Sequence, residues 1–261
     1  MGSFSSASHA KSFVAAGTVS VVYAVDENRV IKTRPSSGDF ERRAYVVEIR
    51  SYERLGYHER IASYEVVEEG LLLERGTCLR KMLQSARSST IPQAMKLQWA
   101  REAAEGLAYI HSRGVIHADV GCHNIIVDHA NHVKFIDFAG SGIDGEAPLV
   151  CYEWCSFRPG MEIGTGTDIF AFGSMLFELE TGNVPYHELE GTMEMGALVT
   201  VVEGLFSQQQ FPSLKGLVYG DVVSGCWDGR YTSMDEVYRD IACCCDGPNV
   251  VQKPGPGWCS K

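Results

Sequence analysis

The chain has 261 residues, 45% of them hydrophobic and 21% charged, with a net charge of −10 at neutral pH. That is long enough to bury a substantial core in one large domain or two lobes, and its composition is that of an ordinary globular protein. The negative balance argues against a broad nucleic-acid-binding face or a surface for anionic membranes.

The first residues, MGSFSSASHAKSF, carry no basic segment followed by an apolar core, so no secretory signal is expected. They do match the short myristoylation pattern, with Gly2 as acceptor and Ser6 at the required position. No run approaches the roughly 18 apolar residues of a membrane span. The cysteines number nine, and neither Cys243-Cys244-Cys245 nor Cys151 with Cys155 has the paired spacing of a zinc site. Reduced thiols and an intracellular location, cytoplasmic or nuclear, are the expectation.

FVAAGTVSVVYAV, rich in β-branched residues and broken at Gly17, predicts strand, turn and strand. NRVIKTR, entered through the turn residues DEN, predicts a third strand. SSGDFERRAYVVEIRSYERLG opens on capping residue types and closes on Leu-Gly, so a helix is expected. SYEVVEEGLLLER reads as two short strands around Glu68, Glu69 and Gly70. Beyond Gly76 the periodicity changes. In IPQAMKLQWAREAAEGLAYIHSRG, the residues Leu97, Ala100, Ala104, Leu107 and Ile110 recur at helical spacing and mark one apolar face. TDIFAFGSMLFELETG is apolar almost all round and predicts a buried helix, and SMDEVYRDIACCC predicts another. The Pro- and Gly-rich tail PNVVQKPGPGWCSK is expected to fray. The layout is α+β: a strand-rich lobe joined through LLLERGT to a larger helical lobe.

Between the long helices runs HADVGCHNIIVDHANHVKFIDFA. VIH is a short strand, ADVGCHN a loop, and IIVD can pair with HVKFID as a hairpin across HANH. The hairpin carries Asp137 back toward Asp119 and Asn124. Two carboxylates and a carboxamide are hard oxygen donors suited to Mg²⁺, which keeps several waters and takes phosphate oxygens.

These residues carry a resemblance. His117-Ala118-Asp119 followed by Asn124 is similar to the H-R-D-x-x-x-x-N loop of the eukaryotic protein kinases, with Ala for Arg. Asp137-Phe138-Ala139 is similar to their D-F-G, with Ala for Gly, and its distance from Asp119 is that of the family. The degenerate motif set looks like that of the divergent kinase domains of filamentous fungi. The resemblance implies an ATP- and Mg²⁺-dependent protein kinase, serine/threonine before tyrosine. Asp119 is then the catalytic base, Asn124 and Asp137 are magnesium ligands, and Phe138 is a packing residue. Lys32 of RVIK is implied as the lysine that holds the nucleotide phosphates, and Glu48 as its partner. Glu48 lies on the helical stripe of Ala44, Tyr52 and Leu55, where an unpaired carboxylate is costly.

The phosphate-covering loop falls at Ala15, Gly17 and Ser20, which keeps one of its usual glycines. Val22, Val30, Leu73, Glu74, Gly76 and Ile126 are the remaining implied nucleotide contacts, with Leu73 as gatekeeper and residues 74–77 as hinge. Asp168 in TDIFAFG, the segment TGNVPY and CWDGRYTSMDEV with Arg230 extend the likeness to Ala242. The implied domain covers residues 13–250, with a small lobe at 13–74, a large lobe at 78–250 and tails at 1–12 and 251–261. ATP and a protein substrate are the implied partners, with no nucleic acid and no transmembrane segment.

Ala118 lacks the guanidinium that docks a phosphorylated activation segment, so control by phosphorylation of Ser141, Tyr152 or Ser156 is not expected. Gly121 stands where serine/threonine kinases carry a lysine, and glycine there is expected to serve a backbone angle that lysine dislikes. The nearest cationic candidate is His123, expected to be mostly neutral at pH 7. SFRPG lacks the glutamate of A-P-E, so Arg230 needs another partner. These departures keep open two alternatives, a pseudokinase acting as a nucleotide-binding or interaction module, and a small-molecule phosphotransferase. A bare metal site at His117, Asp119 and His123 is a weaker one. In the kinase reading, His117 is a packed core histidine.

Overall fold

The β-branched runs at the start of the chain form a five-stranded antiparallel sheet. Its strands are β1 (Ser12–Ala16), β2 (Val21–Ala24), β3 (Arg29–Thr33), β4 (Tyr64–Val67) and β5 (Gly70–Glu74), in the order β1-β2-β3-β5-β4. The computed structural model describes residues 12–17, 20–85, 90–149 and 152–245. The myristoylation pattern and the tail at 251–261 lie outside the described residues. Gly70 is required where β4 turns into β5: its φ is +154°, and a Cβ there would sit 2.2 Å from the Lys32 carbonyl oxygen.

Helix α1 (Asp39–Leu55) buries the stripe Ala44, Glu48, Tyr52 and Leu55. The capping serines expected before it do not cap it. Its N-cap is Gly38, with no side-chain hydrogen bond, and Asp39 and Glu41 supply the favourable negative charge of the first turn.

The larger lobe holds α2 (Leu79–Leu83), α3 (Gln93–Ser112), α4 (Thr165–Thr181), α5 (Met195–Ser207), α6 (Gly220–Trp227) and α7 (Met234–Cys245). On α3, Ala100, Ala104, Leu107 and Ile110 of the predicted stripe are buried, while Leu97 at its start is half-buried. α4 is buried nearly all round, and Gly173 lets α6 approach so closely that a Cβ would lie 2.7 Å from the Cys226 Cβ. Helices α2, α5 and α6 are elements that the residue pattern did not announce, and α5 is the longest of them. Its Val-rich run suits a strand, but Leu198, Val202 and Phe206 recur every fourth residue and are all buried.

Short strands connect the lobes and build the cleft: β6 (Thr77–Cys78), β7 (Val115–Ile116), β8 (Ile125–Val127), β9 (Val133–Phe135) and β10 (Gly142–Ile143). β8 and β9 form the expected hairpin, with Ile125 opposite Phe135, and β6 pairs with β8. The architecture is two-lobed and α+β, as the resemblance implies. No described helix is long and apolar enough to cross a membrane.

Candidate active site

Antiparallel pairing decides which residues meet beneath the first hairpin. Val22 lies opposite Lys32, and Val30 opposite Leu73. Gly17 closes the β1–β2 connection, its N–H donating to the Ser20 carbonyl at 2.9 Å, with Ala15 half-buried on β1. Gly76 lies flat on β8: a Cβ there would come 2.9 Å from the Ile126 Cβ and 2.7 Å from the Val127 oxygen. The Glu74 carboxylate is bound to Lys134 at 2.6 Å and to the Ser63 N–H at 3.1 Å.

Lys32 is the hub. Its Nζ lies 2.9 Å from Glu48 and 2.8 Å from Asp137, so β3, α1 and the end of the hairpin meet at one ammonium. Lys32 is 5% exposed and Glu48 1%. Burial opposes the lysine charge, but the two carboxylates outweigh it and hold the pKa above its ordinary value. Burial pushes Glu48 up to about 7, against the pull of Lys32 and with the help of Asp137. Asp137 is held below the usual carboxylate range because Lys32 outweighs its burial.

Asp137 sits at φ 61° and Ala118 at φ 63°, left-handed positions that non-glycine residues seldom take. A run of aromatic contacts lies beside both. Tyr64 stacks on Tyr52 at 5.0 Å, Tyr52 meets Phe138 edge-to-face at 5.0 Å, and the Phe138 and His117 rings are tilted 5.1 Å apart. Asp168 anchors the lower end. One oxygen accepts the Ala118 N–H at 2.9 Å and the Tyr152 hydroxyl at 2.7 Å; the other faces the His117 N–H at 2.9 Å and His111 Nε2 at 2.8 Å. His117 is a buried packing residue whose pKa burial lowers, and among the described residues no group of His, Cys, Asp and Glu side chains is placed to form the bare metal site with His123. Thr167 does not cap α4 from the N-cap position. It accepts the Gly164 N–H at 2.9 Å from inside the first turn.

Asn124 Nδ2 reaches the Asp119 backbone oxygen at 2.9 Å and Oδ2 at 2.8 Å, and it lies 3.0 Å from His123 Nε2. Its Oδ1, and Asp137 Oδ2, accept no hydrogen bond among the described residues. Two unclaimed hard oxygens on neighbouring loops are a donor set that fits Mg²⁺.

His123 departs from expectation. Nε2 lies 3.2 Å from Asp119 Oδ1, and Nδ1 is 3.2 Å from Glu153 Oε2, an ion-pair distance without hydrogen-bond alignment. Burial disfavours the charge, but the two carboxylates override it and push the imidazole up to about 10. The ring is a cation at pH 7, not the neutral group its unperturbed pKa suggests. Gly121 also has a different cause from the one expected. Its φ of −179° is extended backbone open to any residue, so no special angle calls for glycine.

Residue reasoning missed Glu153, Arg80 and Glu178. Arg80 grips Glu153 with two nitrogens at 2.6 and 2.7 Å, and Glu178 at 2.6 and 2.9 Å. Burial raises Glu153, but Arg80 and His123 outweigh it and bring it down to about 2. Glu178 was findable, because a carboxylate inside the apolar run of α4 needs a cation as Glu48 does. Arg80 lies on a short helix and Glu153 in a loop, where no long periodic apolar face marks a carboxylate or a cation as out of place.

In the activation segment, Ser141, Tyr152 and Ser156 are all buried. Asp144 pairs with Arg54 and with Arg50 at 3.1 Å, and Glu146 with Arg50 at 3.0 Å, which ties the segment to α1. Arg230 finds its partner in the Tyr231 ring, 5.9 Å away, and in the Asp221 carbonyl at 3.5 Å.

A family model for protein tyrosine and serine/threonine kinases matches residues 31–233, which takes in every element of this site except the first hairpin. The chain belongs to the protein kinase family. It is 30% identical over 145 residues to a probable serine/threonine-protein kinase of Dictyostelium discoideum, a match spanning 53% of this chain and 9% of the relative. It is 34% identical over 109 residues to the probable serine/threonine-protein kinase WNK8 of Oryza sativa, covering 39% and 18%. It is 27% identical over 154 residues to serine/threonine-protein kinase GIN4 of Saccharomyces cerevisiae, covering 54% and 12%. The chain thus spans a small part of the length of these relatives. The family generally uses ATP and Mg²⁺.

Proposed function

We propose that this protein kinase domain, residues 13–250, is an active ATP- and Mg²⁺-dependent enzyme that phosphorylates serine or threonine in a protein. The observation that carries the reading is Lys32 bonded at once to Glu48 and Asp137, at 2.9 and 2.8 Å, beside a run of aromatic contacts from Tyr64 to His117. A binding scaffold has no chemical need to hold a lysine and two carboxylates together in a largely buried place, at a real desolvation cost. The serine/threonine class is supported by the names of the relatives. An intracellular place of action, cytoplasm or nucleus, is supported by the free thiols of Cys78, Cys122, Cys155, Cys226, Cys243 and Cys244.

In this reading Lys32 binds the α and β phosphates, and Glu48 fixes the direction of the lysine. Asp137 and Asn124 hold Mg²⁺, which neutralises charge on the phosphate oxygens when bound. Val22, Val30, Leu73 and Ile126 enclose the base, the backbone from Glu74 to Gly76 meets its edge, and the Ala15, Gly17 and Ser20 turn covers the phosphates. The substrate hydroxyl oxygen attacks the γ phosphorus as the bond to the β-phosphate oxygen breaks, and Asp119 takes the hydroxyl proton.

Incubation with labelled ATP and generic protein substrates, beside Asp119→Asn, tests this. Transfer to protein that is lost in the variant is the expected result. A nucleotide-binding pseudokinase is the second reading, favoured by the single glycine of the β1–β2 turn, and it predicts binding without transfer. Label appearing only on a metabolite would mark a small-molecule phosphotransferase.

A further inference from the structure

Gly121 and His123 are matched to each other. Since the backbone at 121 is extended, the reason for glycine there is space. A Cβ at 121 would lie 2.6 Å from both Cε1 and Nδ1 of the His123 ring, well inside the ~3.5–4.0 Å at which carbon atoms make contact. The ring cannot step aside without loss, because each of its nitrogens faces a carboxylate, Asp119 on one side and Glu153 on the other. Nε2 lies 3.2 Å from Asp119 Oδ1 and 3.0 Å from Asn124 Nδ2, the amide that also reaches Asp119, so ring, amide and carboxylate form one cluster.

The contacts continue outward. Asp119 is followed by His123, Glu153, Arg80 and Glu178, so the catalytic loop is joined through the activation segment and α2 to the buried wall of α4. Glu178 is 2% exposed and Arg80 is mostly covered, so this is a partly buried network, unlike an isolated surface pair. Both ring nitrogens of His123 are turned to carboxylates. Its influence on phosphoryl transfer therefore runs through Asp119 and not through contact with the phosphate.

We propose that His123 is a positioning residue that ties the base Asp119 to the activation segment through Glu153, and that Gly121 provides the space its ring requires. The role given to Asp119 rests on the kinase reading above; the tie itself does not. It follows that a lysine at 121 cannot simply be added back. Gly121→Lys in the parent displaces the ring and breaks the tie. The same lysine introduced together with His123→Ala has room to approach Asp119.

The test is a double-mutant cycle on the full chain with Gly121→Ala, His123→Ala and the pair. Transfer to a generic protein substrate is measured alongside hydrogen exchange of the Ser156 amide, which donates to the Glu153 carbonyl at 2.9 Å. Each single variant is expected to lower kcat by about tenfold to a hundredfold, the scale of a misplaced reacting group. KM for ATP should stay within about twofold, since phosphate binding belongs to other residues. The pair should be no worse than His123→Ala alone, and Gly121→Lys/His123→Ala should recover part of the loss. Exchange at Ser156 should accelerate in both single variants and no further in the pair. Circular dichroism on each variant separates this from unfolding. Independent, multiplying effects on kcat, or unchanged Ser156 exchange in folded Gly121→Ala and His123→Ala, would overturn the tie. If the parent transfers no phosphate while Ser156 exchange still responds in this linked way, the tie stands and the kinase reading falls.

Discussion

The carboxylates of Asp137 and Asp119 are held in different ways. Asp137 is fixed by one lysine from β3, itself braced by the buried Glu48 of α1, with partners that the family motifs name. Asp119 is fixed by Asn124 from its own loop and by His123, whose second carboxylate partner comes from the activation segment and whose further supports come from α2 and α4. The first carboxylate is held by partners that the motif resemblance names, and the second by partners that it does not. The difference teaches that two aspartates of one motif set can be fixed by unlike means, one by a single buried cation and the other by contacts that cross several elements.

The largest effects should come from removing either centre. Asp119→Asn is expected to lower kcat on the order of 10²–10⁴-fold, the usual contribution of a general base, with ATP binding retained by calorimetry. Equal loss of binding and turnover would show that Asp119 also serves the nucleotide side. Lys32→Met should abolish most transfer and also destabilise the protein by about 3–5 kcal/mol, because it strands the buried Glu48 without its cation. Chemical denaturation should find Lys32→Met/Glu48→Gln more stable than Lys32→Met alone. A double variant less stable than the single would mean that Glu48 has a second cation.

A smaller effect separates the two centres by pH. The Glu153 carboxyl, held by Arg80 and His123, has a folded pKa of about 2 against an ordinary value of 4.5. A depressed acid contributes stability that is present in full above pH 4.5 and lost as pH falls toward 2. Glu153→Gln should therefore flatten the decline of stability across that window in urea titrations. Parallel curves for parent and variant would remove Glu153 from the network.

The smallest effect concerns the exposed contacts between α1 and the activation segment. Arg50 and Arg54 already face Asp144 and Glu146, and Ser141, Tyr152 and Ser156 are buried. Phosphatase treatment should leave activity unchanged within about twofold, and Arg54→Ala should cost no more than about 1 kcal/mol, as exposed pairs do. A large drop on dephosphorylation would mean that the segment opens and that another cation, such as Arg158, receives a phosphate.

Wherever one period and one local signal agreed, the chain was legible as written. The strand-rich first lobe, the buried stripe of α3, the all-round apolar α4 and the β8–β9 hairpin followed from spacing two, spacing three and four, and turn residues. Lys32, Glu48, Asp119, Asn124 and Asp137 were legible because order and separation along the chain encode them, and Glu48 also because a carboxylate on an apolar stripe demands a partner. α5 was hidden by residues that suit strand and helix alike, and packing against the core decided it. The charge of His123 and the cause of Gly121 could not be read from the chain. A pKa is set by the groups a fold brings near, and Glu153 is thirty residues away in sequence and 3.2 Å away in space. The sequence by itself determined the lobes and the five residues proposed to handle phosphate, because local periodicity and motif spacing are one-dimensional quantities. Only the tertiary structure decided how Asp119 is held, because electrostatic partnership and excluded volume depend on distance through space.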